Sequence, residues 1–567
     1  MNRRSLLVLA AILAAVAVLL AASGGVRATV GGLRLSARSP LPASIAALAA
    51  VGAWWLLARR AKSVDSDLES AWLTLERHGT LAIILVAAAS GTVATIFATS
   101  SAAGADASGY LSQAAMWERG GFTHIDELAL TLTATDPWIT SPLGWRPMHV
   151  PWMQAPTYPP GLSWLMSWVP GTSHPDWVVM LSAAAAVCAT GVIAVRLSGP
   201  IAGMLAAMLL AISPVFLFQS VQPMSDVPVT AAWMTCWALL LWPRARFAAG
   251  IACAFAVLIR PNLAPLAAVP LFAIGWHLRR LAGFSLPVVI AAAILMFLQN
   301  MWYGSPLRSG YGTADELFAL SNIGANASRY FSWLMSTSPM LLVAPVGAAL
   351  VWRHAFTKPL AAFSALVVAA YLVYAVFDVW SYLRFLLPAM AIAAVFAAIA
   401  IAAALRRLPA PVRVMAALAV ILGIAAHGIS QARALDTFRL ADQQRRVAQV
   451  ARFLSTTLPA DGVIVSGEQS GALRYYTGRS ILRWDLASPD ALAAALTALN
   501  AADRPVVVAL DAWEHEPFRA RLGALPAVSL EWPSVFDAGT SHRTRVWRLS
   551  DRVRFLRGEQ VQTLRQP

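Results

Sequence analysis

Long apolar runs recur through the first three quarters of the chain, and most charged residues fall between them. About 13 runs read as spans by the rule of about 20 residues per crossing. They lie near 5–22, 41–58, 79–99, 176–195, 200–219, 227–242, 247–260, 262–277, 283–302, 328–351, 359–377, 383–404 and 411–430. In lipid, runs this long satisfy their backbone groups internally as helices. Composition agrees: 13% of residues are charged, against about 25% in a soluble domain. The chain is expected to be a polytopic, all-α membrane protein.

The loops give the topology. Arg3 and Arg4, Arg59, Arg60 and Lys62, Arg196, Arg244 and Arg246, Arg279 and Arg280, Arg353 and Lys358, and Arg406 and Arg407 fall on alternate sides. That side is cytoplasmic by the positive-inside rule. The 23–40 loop, with Arg27, Arg34 and Arg38, runs against the pattern. The first run also has the form of a signal peptide; its removal would leave every later orientation unchanged. An odd number of spans sends the region after residue 432 outside. These features predict a multi-pass protein of the inner or plasma membrane.

The formal charge of +15 comes almost wholly from arginine. Much of it is topology signal that anchors cytoplasmic loops to anionic lipid, so no nucleic-acid partner is read from it. Cys188, Cys236 and Cys253 all fall inside expected spans, which supports neither a disulfide framework nor a cysteine zinc site.

Two regions are not membrane. The first is the outer loop 101–175. It opens with ASGYLSQAAMWERGG, where Tyr110, Ala114 and Trp117 recur at helical spacing. That spacing suits a helix lying in the membrane interface and ending at Gly120-Gly121. The rest of the loop is rich in Trp and Pro, which argues against disorder. The second region, 433–567, alternates helices and strands: a helix over 434–457, then GVIVSGE, SGALRYYTG, RSILRWDL, SPDALAAALTALN, RPVVVAL and EHEPFRARLG, with AVSLEW and RTRVWRL as edge strands. This predicts a small extracytoplasmic α/β domain, giving a membrane domain 1–432 and a C-terminal domain 433–567. SGEQSG follows a strand but lacks the spacing of a phosphate loop.

The candidate site residues sit at or near outer ends of spans: Asp106; Tyr158 in YPPG; Asp226 in QPMSDVPVT; Arg260 in LIRPNLAPL; Arg308 and Tyr311 in YGSPLRSGYG; Asp378, Tyr382 and Arg384 in FDVWSYLRF. Each has a plain structural reading. Asp106 and Asp226 suit helix caps, Tyr158-Pro159-Pro160-Gly161 a helix start, and the arginines interfacial anchors. His124, His149 and His174 share the outer loops, without a metal-ligand spacing. Taken together, carboxylates and arginines converge on one membrane face beneath an aromatic loop. Arginines there would hold a phosphate, and a carboxylate would take a proton from an attacking hydroxyl.

In motif order and hydropathy, residues 79–430 resemble the GT-C superfamily of membrane glycosyltransferases. The likeness is to bacterial members similar to protein O-mannosyltransferases (glycosyltransferase family 39) and to lipid A aminoarabinose transferases. Asp106-Ala107-Ser108-Gly109-Tyr110 resembles the first-loop motif, with Ala107 where the family often has Glu. Tyr158-Pro159-Pro160-Gly161, Ser225-Asp226, Arg260-Pro261 and Tyr382-Leu383-Arg384 resemble its other outer motifs. The resemblance implies a polyprenyl-phosphate sugar donor, an acceptor in the cell envelope and a single inverting displacement. In it Asp106, and secondarily Asp226, would be catalytic. Arg260, Arg384 and Arg308 would stabilise the leaving lipid phosphate. Tyr110, Tyr158 and Tyr382 would bind substrate. No cofactor is required by the sequence, and a divalent cation stays an open choice. The competing class is a secondary transporter or lipid flippase. That class favours charges near mid-span and repeated broken helices, and neither is evident here.

Overall fold

The structure is a computed structural model and describes residues 3–23, 26–30, 33–37, 39–132, 135–168, 177–540 and 542–566. Every run read as a span is helical, but not every one is a long crossing. Among the described residues, six helices are long and apolar enough to cross a membrane: Leu41–Arg60, Val64–Ile96, Trp177–Ser198, Leu278–Tyr303, Trp380–Arg406 and Ala410–Ala434. The number rises to eight if each of two bent pairs is one span, with bends of 63° between Pro200–Ala211 and Pro214–Ser220 and 109° between Leu320–Thr337 and Pro339–Leu350. The count of about 13 is thus not returned. The reason is proline. Ser213, Ser338 and Arg260 each precede a proline and each leave helical geometry, at ψ 125°, 51° and 85°, as the proline ring demands of its predecessor. Hydropathy does not register such breaks. The Asp226–Leu240 and Arg246–Ile259 helices have 15 and 14 residues. At about 1.5 Å per residue each is only about 22 Å long, short of a bilayer core.

These short helices lie inside the bundle. Trp233 and Trp237 of the first are fully buried against Phe363. Two corrections concern the loops. Val26–Val30 and Leu33–Ala37 pair as two antiparallel strands; Arg38 lies outside the described residues. The Ala105–Glu118 helix is not an interfacial helix: Tyr110, Leu111 and Ala114 are each no more than 3% exposed. The aromatic loop covers it from one side, with a three-stranded sheet of His124–Ile125, Met153–Pro156 and Trp145–Pro147. The Ser470–Thr477 helix of the C-terminal region covers another side, where Ser470 Oγ accepts the Leu143 N–H at 3.1 Å.

The C-terminal region holds a six-stranded sheet in the order Leu564–Gln566, Phe536–Ala538, Thr544–Arg548, Val506–Asp511, Val463–Ser466, Ser480–Arg483. The last three strands are parallel, and Thr544–Arg548 runs antiparallel to both neighbours. Strand alternation sends Val463, Val465 and Val508 to one core with Leu492 and Phe518, and Ile464 and Val507 to another with Val450 and Leu454. AVSLEW is not an edge strand. Pro526–Val528 is a 3-10 turn, and Leu530 has φ +53°. The edges are Leu564–Gln566 and Ser480–Arg483; RTRVWRL, expected at an edge, is interior, paired on both sides by Phe536–Ala538 and Val506–Asp511. The helix expected over 434–457 begins at Leu440, because Ala434 still ends the preceding apolar helix.

Candidate active site

Asp106 is the second residue of its helix; the N-cap is Gly104, at φ 79°. Its carboxylate is therefore not the cap. It accepts a hydrogen bond from Arg384 Nη2 at 2.8 Å. Arg384 Nε lies 3.9 Å from Asp226 Oδ2, and Asp226 Oδ1 accepts from Arg260 Nη2 at 2.6 Å. Four charges thus alternate in sign: Asp106, Arg384, Asp226, Arg260. Asp226 is 1% exposed and Asp106 27%. The first serves to hold the arginines, and the second can be reached.

Local sequence explains the convergence. Arg260 ends its helix because Pro261 follows, and the break places it beside Asp226 at the start of the preceding helix. Arg384 lies in the 3-10 turn Trp380–Leu386, ahead of the helix that Pro388 begins. Phe385 lies beneath both guanidinium groups, 5.5 Å from Arg260 and 5.3 Å from Arg384. Tyr382 lies 4.9 Å from Arg384. Two glycines are required by close approach. A Cβ on Gly109 would lie 2.2 Å from the Tyr158 ring, and one on Gly161 would lie 2.6 Å from the Leu258 backbone. The first lets Tyr158 rest on the Asp106 helix. The second lets the Pro160–Ser167 helix pack where Arg260 emerges.

These groups surround a cavity of about 350 Å³, lined by Asp106, Tyr110, Tyr158, Arg260, Tyr382 and Arg384, with Tyr311, Tyr303 and Phe385 among the rest. Tyr110 and Tyr158 pack with ring centroids 4.8 Å apart, and Tyr311 meets Tyr158 edge-on at 5.7 Å. Burial, and then the Asp106 charge, push both the Tyr110 and Tyr158 phenols far above their usual range. Both stay protonated and can donate. Each arginine keeps a buried N–H without a hydrogen-bond partner among the described residues: Arg260 Nη1 and Arg384 Nε, the latter only in longer ionic contact with Asp226. A buried, unmade hydrogen bond is costly, so these donors are set for an anion.

Some sequence candidates lie elsewhere. Arg308 is exposed, on a turn outside the cavity lining, because it precedes the Ser309–Gly312 reversal that carries Tyr311 inward. Asp378 is exposed and pairs with Arg329 at 2.5 Å. Ser108 and Gln113 have structural partners: Ser108 Oγ donates to Gly104 O, and Gln113 Oε1 accepts from Ser163. Burial and then Arg474 lower His124 to about 4, so it is neutral. His149 is exposed, and His174 lies outside the described residues. No group of three or more His, Cys, Asp or Glu among the described residues could hold a metal. Phe385 and Asn262, whose Nδ2 donates to Tyr371 at 3.0 Å, escaped the sequence reading, though each sits beside a flagged arginine.

The helical bundle, its broken helices and the cavity at their ends are those of a multi-pass membrane protein, and its fold is like that of solved GT-C structures. No family model matches the sequence, and no curated protein matches it. Solved structures do. ArnT from Cupriavidus metallidurans bound to undecaprenyl phosphate superposes with a TM-score of 0.52 at 12% identity, over 84% of this chain and 98% of that one. The apo state of the same protein gives 0.50 at 12% identity, over 82% and 97%. The Archaeoglobus fulgidus oligosaccharyltransferase tethered with an acceptor peptide gives 0.49 at 13% identity, over 82% and 74%. The likeness to ArnT is one of fold and runs through nearly its whole length.

Proposed function

We propose that the chain is an integral-membrane glycosyltransferase that moves a sugar from a polyprenyl-phosphate donor to an envelope acceptor on the extracytoplasmic side. The carrying observation is the cavity with two buried arginines, each with a spare donor, beside a reachable carboxylate. An ArnT of the same fold holds undecaprenyl phosphate, which supports a lipid-phosphate donor here.

In this reading Asp106 takes the proton of the acceptor hydroxyl as that oxygen bonds to the anomeric carbon. The bond from that carbon to the phosphate oxygen breaks in the same step, with inversion. The lipid phosphate leaves with the negative charge, which Arg260 and Arg384 stabilise. One such charge contributes about 10²–10³ in rate. Asp226 orients both arginines. Tyr110, Tyr158 and Tyr382 frame the sugar. Arg308, exposed and outside the cavity lining, has no part in the step. The Ser470–Thr477 helix packs on the first turn of the Asp106 helix and on Leu143, which supports one side of the membrane for both regions; the arginine loops favour the outer side, where the domain would position the acceptor.

Mass spectrometry of envelope glycans, glycolipids and glycoproteins, with and without the chain, tests this. Loss of one hexose or pentose from one product is expected. An unchanged set of products with an altered distribution of lipid-linked precursors would point instead to a flippase.

A further inference from the structure

The SGEQSG turn found no use in the function above, yet it is docked on the first turn of the Asp106 helix. A Cβ on Gly471 would come within 2.4 Å of Ser108 Oγ, and Glu468 Oε1 lies 3.8 Å from where a Gly104 Cβ would sit. Gly104 and Ser108 stand two residues before and after Asp106. Glu468 therefore sits beside the start of the Asp106 helix, outside the cavity lining but within electrostatic reach of Asp106. It is also within electrostatic reach of Tyr382, which lines the cavity.

The turn itself is held without the Glu468 side chain. The Glu468 N–H donates to Glu514 Oε1 at 3.0 Å, which also accepts Trp484 Nε1 at 3.0 Å. Gln469 Nε2 donates to Asp511 Oδ2 at 2.9 Å, and Arg446 reaches the same oxygen at 3.1 Å. The Glu468 carboxylate has no hydrogen bond or ion pair among the described residues. Its nearest cation in influence, Arg483, is already forked onto Asp485. Burial, then the Asp511 charge, raise its carboxyl above the usual range, and the Asp106 charge adds to this. An acid near a short helix start is ordinary. One rigidly presented, without a hydrogen bond and beside the start of the Asp106 helix has spare acceptor capacity at the rim of the site.

We propose that Glu468 binds the acceptor, accepting a hydrogen bond from a hydroxyl adjacent to the one that Asp106 deprotonates. This rests on the glycosyl-transfer reading and narrows its acceptor to a sugar. A sugar carries a second hydroxyl beside the reacting one, whereas a serine or threonine side chain carries none.

The test uses the full chain in lipid nanodiscs, with tritiated lipid-linked sugars extracted from the source cells as donor. Envelope membranes of cells lacking the chain serve as acceptor. Glu468→Gln should raise the half-saturating amount of acceptor membranes about tenfold, the loss of one hydrogen bond to a charged group. Glu468→Asp should recover part of it. Hydrolysis of the donor by water, thermal stability and undecaprenyl phosphate binding should not change. An unchanged half-saturation in Glu468→Gln, equal falls in transfer and hydrolysis, or label recovered only in protease-released peptides would overturn the proposal. A wild-type chain that neither transfers nor binds undecaprenyl phosphate would overturn the glycosyl-transfer reading itself.

Discussion

In the helical part, the ion pairs Asp226–Arg260 and Asp106–Arg384 are largely buried and share one cavity wall. Other pairs there, such as Arg406–Glu76 and Arg329–Asp378, are a third or more exposed. In the C-terminal part, pairs are spread over the sheet: Arg446–Asp511, Arg543–Asp537, Arg483–Asp485. The first ties a helix to a strand, the second links neighbouring strands, and the third fixes a strand end to the turn that follows it. An ionised side chain costs several kcal/mol to bury unless fully paired. In an apolar bundle it is expensive and points to function. A cluster of four with two spare donors indicates chemistry, whereas dispersed and satisfied pairs indicate architecture.

Substitutions can break that contrast. The largest effect is expected at Asp106. Asp106→Asn should lower sugar transfer by at least about 10², the usual size of a general-base contribution, with normal expression and thermal stability. A helix cap would tolerate Asn, so wild-type transfer would make Asp226 the leading base. Asp226→Asn should give a smaller, or acceptor-dependent, loss in the same radiolabel assay.

The smallest effect is expected at Glu514, in the C-terminal part. Burial raises its carboxyl to about 7 despite the N–H groups that it accepts. The folded state thus holds this proton more tightly than the unfolded one. Its stabilising contribution is complete below the usual carboxyl range and fades as pH rises through about 7. The C-terminal unfolding transition should fall by a few degrees between pH 5 and 8. Glu514→Gln should flatten that fall in calorimetry and leave undecaprenyl phosphate binding unchanged. An equally steep fall in the variant would assign the pH dependence to other groups.

Much of this was legible in the sequence. Hydropathy located every helical run, and alternation located the three parallel strands. Asp106, Tyr110, Tyr158, Arg260, Tyr382 and Arg384 line one cavity, with Asp226 behind its wall, because each occupies a polar position at the end of an apolar run. Arg308 did not join them, since a reversal two residues long decides which of Arg308 and Tyr311 turns inward. The span count failed where X-Pro steps broke runs that hydropathy treats as continuous. The Ala105–Glu118 helix was misplaced because helical periodicity reports one apolar face. The cover over its other faces comes from residues 470–477, more than 300 positions away. The same distance kept the sequence from showing what the SGEQSG turn packs against.

In the proposed reaction Arg384 serves the lipid phosphate while its partner Asp106 serves the acceptor. Binding of undecaprenyl phosphate to the full chain in nanodiscs, titrated calorimetrically, separates the two ends of this one ion pair. Arg384→Gln should weaken binding at least about tenfold, the scale of a charged hydrogen bond, while Asp106→Asn should bind as the wild type does or more tightly. Undiminished binding by Arg384→Gln, or equal losses in both variants, would contradict the account.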